Sequence, residues 1–454
     1  MTVTTVSPDP RNESRVRFAI GDLLIGTATA ATQIEGGRTD TNWADWAAQP
    51  GRIADGSSPV RATDHWNRWR EDTGLMADLG LQVYRMGIEW SRIEPTPGDF
   101  DTESIARYRE EIQVVRDAGI EPMVTLHHFS HPSWFEATGG WASEVAVETW
   151  LRFVRFVVTH LDDLVTDWCT INEPNVFVTG GYLFGEFPPG HTNDWKAIRK
   201  VLHAMARAHC LAYDLIHEVQ PEAKVGFAHH LRVFDPLNAR NPLHRLLART
   251  NALLFQEVIT DAFLAGRFAR ILGGQPEDVR PARRYDWLGI NYYSRTAVSK
   301  MDDGTFPNSP VNDLGWEIHP EGLVTVARWL HERHPGPIWV TENGTCDNGD
   351  PASGALESFR SRYLHDHLKA MAESGLPFER YYHWCFVDNW EWAEGEVPRF
   401  GIVGLDYESQ ERTLKDSGRF LSSVIASGGV TEDAYAVYVA PQRYRVQSTP
   451  RPRG

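Results

Sequence analysis

Short apolar runs rich in β-branched residues alternate with longer amphipathic segments along most of the chain. Short runs of this composition are typical of buried strands. They span residues 23–28, 82–88, 121–126, 167–172, 224–228, 287–291, 338–341 and 380–386. The pattern therefore predicts eight strands that are separated by helical segments.

The clearest helix is predicted for residues 102–118. Asp101 or Thr102 can cap its start, and Gly119 can end it. Its apolar positions recur every three or four residues, at Ile105, Tyr108, Ile112 and Val115. Two further segments carry a similar stripe, made by Val147, Leu151, Val154 and Val158 and by Leu323, Val326, Ala327 and Leu330. This spacing places each stripe on one helical face that can pack on the strands.

The alternation of strands and helices indicates an α/β fold with parallel pairing. Eight such units favour a single (β/α)₈ TIM barrel with long active-site loops over an open doubly wound sheet. The turn at 26–30, Gly-Thr-Ala-Thr-Ala, lacks the glycine spacing of a dinucleotide-binding loop. We expect the active-site loops at 30–60, 229–260 and 294–320. We also expect a flexible N-terminal segment at 1–17, the barrel at 18–440 and a flexible basic tail at 441–454.

Composition narrows the class of protein. The 454 residues carry a formal net charge of −16, which disfavours a nucleic-acid partner. No apolar run is long enough to span a membrane and residues 1–17 hold no signal core, so we expect a cytoplasmic protein without a membrane partner. The cysteines lack the spacing of a disulfide framework or zinc site. The 17 tryptophans suit the flat faces of sugars, although they can equally be core residues.

Two glutamates follow apolar runs and precede turn-forming residues. Glu173 stands in Thr-Ile-Asn-Glu-Pro and Glu342 in Val-Thr-Glu-Asn-Gly, at the ends of the fourth and seventh predicted strands. Pro174 disfavours helical angles for Glu173, so we expect that residue to remain extended. Either motif alone can be a capped strand end. Together, at the end of a barrel where catalysis takes place, two carboxyl groups suit glycosidic bond cleavage.

Two other residues predict different protonation states for the two glutamates. Arg85, near the end of the second predicted strand, is a buried cation that needs an anion, and Tyr293 follows the sixth predicted strand. Their contact with Glu342 would keep that carboxylate ionised as the nucleophile. Glu173 would then hold a proton, donate it to the leaving oxygen and later act as the base toward water.

Several ordered motifs resemble glycoside hydrolase family 1, the β-glucosidase family. They include Gly-Thr-Ala-Thr-Ala-Ala-Thr-Gln-Ile-Glu-Gly at 26–36, Trp-Ser-Arg-Ile at 90–93, both glutamate motifs, and Asp-Asn-Trp-Glu-Trp-Ala-Glu-Gly at 388–395. The resemblance runs from about residue 18 to residue 421. It implies that Glu342 is the nucleophile and Glu173 the acid/base, with no metal and no cofactor.

The resemblance also implies roles for other residues. Four support catalysis: Arg85, Asn172, Asn291 and Tyr293. Seven bind the substrate: Gln33, His128, Trp384, Glu391, Trp392, Phe400 and Trp316. The histidine-rich run at 127–131 could suggest a metal, but neighbouring residues of a strand face opposite ways and no carboxylate accompanies them.

The chain departs from the family pattern near the expected sugar site. The departures are Glu89, Phe129, Ser130, His131 and Asn175, and they bear on sugar specificity rather than on the reaction. Glu391, Pro398 and Phe400 stand where members that take 6-phosphorylated sugars carry Ser, Lys and Tyr, so we do not expect a 6-phospho substrate.

These observations predict a retaining exo-acting β-glycosidase. It would hydrolyse terminal non-reducing β-D-glucosyl residues of a small β-glycoside or oligosaccharide, with β-galactosides or β-fucosides as side substrates. A transglycosylase or a specialised natural-product β-glycosidase is the alternative within the family. A catalytically silent sugar-binding protein is the alternative of another class, and members of that kind typically lack one of the two carboxylates. The oligomeric state is not indicated.

Overall fold

Eight parallel strands close into a barrel. The computed structural model describes residues 15–300, 304–350 and 352–446. The strands are β1 (Leu24–Ala28), β2 (Val83–Gly87), β3 (Glu121–Thr125), β4 (Asp167–Asn172), β5 (Lys224–His230), β6 (Leu288–Asn291), β7 (Ile338–Asn343) and β8 (Phe378–Trp384). Neighbours in the chain pair with each other, and β8 closes on β1. The predicted (β/α)₈ barrel is confirmed.

The strands lie close to the sequence-based boundaries. Each predicted boundary falls within two residues of the observed one. Residues of β2, β4 and β7 are buried along their whole length. Strands that are covered on both faces read as continuous apolar runs rather than as alternating ones, which explains why they could be found.

Helices surround the barrel. They are α1 (His65–Asp78), α2 (Thr102–Asp117), α3 (Ala146–Leu161), α4 (Trp195–Val219), α5 (Val258–Ala265), α6 (Pro320–Arg333), α7 (Arg360–Glu373) and α8 (Asp416–Ser427). The α2 helix begins where predicted, because the Asp101 side chain accepts hydrogen bonds from the backbone N–H groups of Glu103 and Ser104. In α3 the predicted stripe faces inward, with Leu151 only half-buried.

The long segments after β1, β5 and β6 have secondary structure of their own. Strand Val233–Pro236, after β5, pairs in parallel with Arg295–Val298, after β6. Helix Pro242–Ala252, which we call the rim helix, follows and continues through a π turn into α5. The other short helices and turns are Ala31–Ile34, Asn42–Ala47, Trp90–Ile93, Ser133–Ala137, Gly140–Ala142, Pro174–Val178, Thr179–Phe184, Leu253–Glu257, Arg270–Leu272, Trp392–Glu394, Glu432–Ala434 and Tyr435–Val439.

The described ends of the chain lie against the barrel. Val16–Ala19 pairs with Gly429–Thr431, and Arg445–Val446 pairs with Pro310–Val311; a further hairpin joins Val403–Leu405 to Arg412–Leu414. Residues 1–14 and 447–454, most of the two expected terminal segments, lie outside the described residues, so that division of the chain stays a prediction. Within the described ranges, no helix is long and apolar enough to cross a membrane.

Candidate active site

The two glutamates lie at the same end of the barrel. Glu173 directly follows β4, and Glu342 is the fifth residue of β7. Both side chains are buried. Parallel strands direct their carboxyl ends to one mouth, so the sequence positions of the two residues bring their carboxyl groups to the same mouth.

The backbone of Glu173 differs from the expectation. The residue is not extended but left-handed, with φ of 44° and ψ of 59°. Pro174 excludes only the right-handed helical region for the residue before it, and the left-handed region also satisfies that restriction. The turn lets the Glu173 carbonyl accept the first hydrogen bond of helix Pro174–Val178, from Phe177 N–H at 3.0 Å. It also aims the side chain into the mouth, and a non-glycine residue held in this conformation is typical of functional sites.

Glu342 accepts hydrogen bonds from the two residues assigned to it. Arg85 Nη1 lies 2.6 Å from Oε1, and the Tyr293 hydroxyl lies 2.6 Å from Oε2. Arg85 is itself fully buried and is held by Thr125 Oγ1 at 3.0 Å and by Asn172 Oδ1 at 2.7 Å. Both carboxylate oxygens are thus fixed by rigid donors, which orients Glu342 at the mouth.

Two asparagines connect the glutamates. Asn291 Nδ2 donates to Glu173 Oε1 at 2.8 Å and to Asn172 Oδ1 at 3.0 Å. The Asn291 amide is oriented because its Oδ1 accepts a hydrogen bond from Thr341 Oγ1 at 2.6 Å. A continuous hydrogen-bonded chain therefore runs from one carboxyl group to the other through Arg85, Asn172 and Asn291. The structure brings all six expected catalytic and supporting residues together.

A histidine that the sequence reasoning did not identify contacts the acid/base candidate. His230, the last residue of β5, lies with Nδ1 2.9 Å from Glu173 Oε1. Arg232 donates from Nε to His230 Nε2 at 3.0 Å. An arginine cannot accept, so His230 Nε2 must be the acceptor and the ring proton must sit on Nδ1. His230 is therefore a neutral ring that donates to Glu173. The sequence signal that could have identified this residue was the pair His229 and His230, directly after the predicted strand.

The environment shifts the two carboxyl groups in opposite directions. Burial raises the pKa of Glu342 to about 7, although Arg85 and Tyr293 favour its ionised form. Burial also acts to raise the pKa of Glu173, but the hydrogen bonds from His230 and Asn291, with the charge of Arg85, leave that pKa below its ordinary value. The expectation that Arg85 and Tyr293 decide which carboxyl group is ionised was therefore incomplete, because the hydrogen bond from His230 favours the ionised form of Glu173.

Buried polar groups lie beside the pair. Gln33 Nε2 donates to Glu391 Oε2 at 3.2 Å and to Asn389 Oδ1 at 3.2 Å. Burial raises the pKa of Glu391 to about 8, with the Glu342 charge adding to the effect. Asn172 Nδ2 donates to His128 Nε2 at 2.9 Å, which puts the His128 proton on Nδ1. Among the described residues, neither His128 Nδ1 nor Gln33 Oε1 has a partner, so a donor and an acceptor remain for a ligand.

Aromatic rings lie near these polar groups. His128 lies between Trp384 and Trp392, with ring centroids 5.7 and 5.8 Å away. On the Tyr293 side, Trp316 lies 5.7 Å from the Tyr293 ring and 6.0 Å from Phe400. The seven expected substrate-binding residues are thus found around the two glutamates, in two groups of neighbours.

Four of the five departures from the family pattern, Glu89, Ser130, His131 and Asn175, make local hydrogen bonds. Glu89 accepts hydrogen bonds from Thr32 Oγ1 at 2.6 Å and Ser130 Oγ at 3.2 Å, which satisfies a buried carboxyl group. Asn175 Nδ2 donates to the His230 carbonyl at 2.8 Å, so it supports the end of β5. The histidines at 127, 128 and 131 have different partners: Trp141, Asn172 and Glu136.

Known proteins resemble the chain over most of its length. Residues 17–430 match the sequence model described as "Glycosyl hydrolase family 1". Beta-glucosidase A of Thermotoga maritima is 31% identical over 439 residues, which cover 90% of this chain and 98% of that protein. The "Galactolipid galactosyltransferase SFR2, chloroplastic" of Arabidopsis thaliana is 32% identical over 92% of this chain and 66% of its own length.

Solved structures share the architecture. The family 1 β-glucosidase from Thermotoga maritima superimposes with a TM-score of 0.85 and 28% identity, over 92% of this chain and all of that one. The same enzyme in complex with glucoimidazole gives a TM-score of 0.84 over 91% of this chain and 100% of that one, at 28% identity. These barrels therefore have the same fold as the one described above.

Proposed function

The chain belongs to glycosyl hydrolase family 1, and from this premise we propose that it is an exo-acting β-glucosidase that retains the anomeric configuration. The observation that carries the proposal is the buried pair Glu173 and Glu342, joined by hydrogen bonds at the mouth of the barrel. A retaining enzyme requires carboxyl groups about 5–5.5 Å apart. The hydrogen-bonded chain of Arg85, Asn172 and Asn291 supports this proposal because it holds both carboxyl groups at the same mouth.

In the first step Glu342 attacks the anomeric carbon. The bond to the leaving oxygen breaks as that oxygen takes a proton from Glu173, and a glycosyl ester forms on Glu342. Arg85 and Tyr293 hold the attacking carboxylate, so little motion is needed to reach the carbon. Both hydrogen bonds that Glu173 accepts from described side chains end on Oε1, which assigns the transferable proton to Oε2.

Two observations support placing the shared proton on Glu173 in the active form. Arg85 is permanently charged and lies 2.6 Å from Glu342, whereas the His230 ring is neutral because of its contact with Arg232. A hydrogen bond from a neutral ring favours the Glu173 anion less than a cation would. When Glu342 becomes an ester its charge disappears, so Glu173 loses its proton more easily and can take one from water. That water then displaces Glu342 from the anomeric carbon.

The surrounding residues support recognition of one terminal sugar. Gln33 and Glu391 are hydrogen-bonded to each other and can share adjacent hydroxyl groups, and His128 Nδ1 offers a donor. Trp384 provides an apolar face for the sugar ring. Trp316 and Phe400 form a separate aromatic wall, which we assign to the leaving group.

A panel of nitrophenyl glycosides and cello-oligosaccharides tests this proposal. We expect the highest kcat/KM for the β-glucoside, weaker cleavage of the β-galactoside and β-fucoside, and release of single glucose units from the non-reducing end. The first product observed by NMR should be β-glucose. Inverted α-glucose, or release of internal fragments, would contradict the assignment.

Transfer to an acceptor other than water is the second candidate, and the similarity to a galactosyltransferase favours it. The chemistry differs only in the second step, where an acceptor hydroxyl replaces water at the Glu342 ester. Product analysis with added alcohols distinguishes the two. Glycoside products that exceed free sugar at low acceptor concentration would favour transfer, and free sugar alone would favour hydrolysis.

The contacts of His230 give a prediction for the pH dependence. The hydrogen bond to Glu173 stabilises its anion, and activity falls as the pH rises through the upper pKa of the pair, where the shared proton is lost. Removing the donor in His230→Ala should raise that pKa and move the basic limb of kcat/KM up by about half to one pH unit. Arg232→Met frees Nε2 for protonation, so the imidazolium should move the same limb down.

His230→Asn is the matched control, because its amide can donate from nearly the position of Nδ1. Its basic limb should stay near that of the wild type. A basic limb that moves in the same direction in His230→Ala and Arg232→Met would contradict this account of the dyad.

A further inference from the structure

The rim helix exposes leucines next to the barrel mouth. It follows strand Val233–Pro236, which leaves the carboxyl end of β5, so the helix begins on the same side as the two glutamates. Together with the π turn that follows it, the rim helix exposes four leucines, which we call the leucine face: Leu243 and Leu246 of the helix and Leu253 and Leu254 of the turn, which are 55%, 62%, 44% and 37% exposed. Spacings of three and seven residues put the first three on one side of the helix.

The leucine face is not needed to hold the helix in place. The opposite side carries the packing: Ala248 is buried, and Phe255, in the π turn, packs on Phe234 and on His230 with centroid distances of 5.6 and 5.8 Å. Four neighbouring leucines exposed in water are unfavourable unless something covers them, and contiguous apolar surface of this kind is typical of an interaction site.

Positive charge accompanies the leucine face. Arg240, Arg245 and Arg249 are exposed, and residues 236–256 contain no aspartate or glutamate. The whole chain has a formal charge of −16, so this segment is opposite in sign to the protein that carries it. Helical spacing places Arg245 and Arg249 along one edge of the leucine face rather than opposite it.

We propose that the rim helix docks on the surface of an anionic lipid bilayer. An amphipathic helix with leucines on one side and arginines along the edge lies in the interface, where the leucines enter the acyl boundary and the arginines pair with phosphates. A second copy of the chain is a poorer partner, because a two-fold contact would bring the arginines of both rim helices together. Docking of this kind requires no spanning segment, and it turns the barrel mouth toward the lipid surface.

Flotation of the full chain with vesicles tests the proposal. We expect binding to phosphatidylcholine vesicles that contain phosphatidylglycerol, weaker binding to phosphatidylcholine alone, and loss of binding as salt rises. Leu246→Ser should weaken partitioning about tenfold, because it withdraws several methylene-sized groups from the lipid. Arg245→Gln should weaken it about fivefold, and only at low salt.

Val437→Ser is the matched control. Val437 is 62% exposed and lies in the turn Tyr435–Val439, which contacts α7 and α8 on the side of the barrel across from β5, so its replacement should leave partitioning unchanged. All three variants should cleave a soluble nitrophenyl β-glucoside like the wild type, which shows that they fold. Two results would overturn the proposal: equal binding of wild type and Leu246→Ser, or a dimer in solution that Leu246→Ser converts to a monomer, which would make the leucine face a contact between copies.

Discussion

Glu342→Gly is expected to lower kcat/KM for a nitrophenyl β-glucoside by about 10⁴-fold or more. At the end of β7, the Glu342 carboxylate accepts hydrogen bonds from both Arg85 and Tyr293, which orient it toward the mouth. Glycine removes the proposed nucleophile and leaves a space of carboxylate size beside a buried cation. Azide can occupy that space and attack the anomeric carbon, so activity should return with azide and the product should be the α-glucosyl azide.

Glu342→Gln separates loss of the nucleophile from loss of the fold. Its amide fills the same volume, so it should be as inactive as Glu342→Gly but should not respond to azide. Removing the carboxylate also leaves Arg85 with one charged partner fewer in a buried position, which costs about 3–5 kcal/mol of folding stability. Thermal unfolding should therefore move to lower temperature in both variants. A β-configured azide product from Glu342→Gly would assign the nucleophile to another residue.

The barrel could be predicted because its strands form clear apolar runs in the sequence. Parallel strands covered on both sides are mostly apolar along their length, and three of them, β2, β3 and β6, are followed by a helix with a clear apolar stripe. The pairing of β8 with β1, which closes the barrel, was predicted from the number of strand–helix units and not from a local sequence pattern. The site residues at strand ends then followed from the barrel, since chemistry there gathers at one mouth.

The sequence did not indicate that His230 belongs to the site, because the position at which β5 ends cannot be read from the apolar pattern. The apolar run stops at residue 228, but the strand continues to His230 because parallel pairing with β6 extends to Asn291. His230 consequently lies against Glu173, while a reading that ends the strand at 228 leaves it in a loop. The rim helix was missed for a similar reason: its leucines are exposed, so no core-facing stripe distinguishes the segment 229–260 from a loop.

The left-handed backbone of Glu173 is a third difference, and it has a functional consequence. Pro174 leaves both the extended and the left-handed backbone conformation open to Glu173, and only tertiary contacts select between them. Hydrogen bonds from Glu173 N–H to the Ala228 carbonyl at 2.8 Å, and from Phe177 N–H to the Glu173 carbonyl, fix the left-handed turn. The turn ends β4 abruptly, so the side chain is carried by rigid backbone at the junction of strand and helix.

Glu173→Ala should produce a loss of activity that depends on the leaving group. Cellobiose and alkyl glucosides need a proton on the departing oxygen, so their kcat/KM should fall by about 10³-fold. A dinitrophenyl glucoside leaves without that proton, and its first step should be nearly unaffected. Its second step still requires Glu173 as the base toward water, so the glycosyl ester on Glu342 should accumulate and a burst of dinitrophenol should precede slow turnover.

The azide product and the pH profile of Glu173→Ala give two further tests of the proposed acid/base role of Glu173. Azide needs no general base, so it should speed turnover of the dinitrophenyl glucoside by Glu173→Ala and give the β-glucosyl azide, the configuration opposite to that from Glu342→Gly. The basic limb of the pH profile should also disappear, because the group that loses its proton there has been removed. Glu173→Gln should behave like the alanine variant, except that azide has less room. An equal loss for every leaving group would indicate that Glu173 positions the substrate and does not transfer the proton.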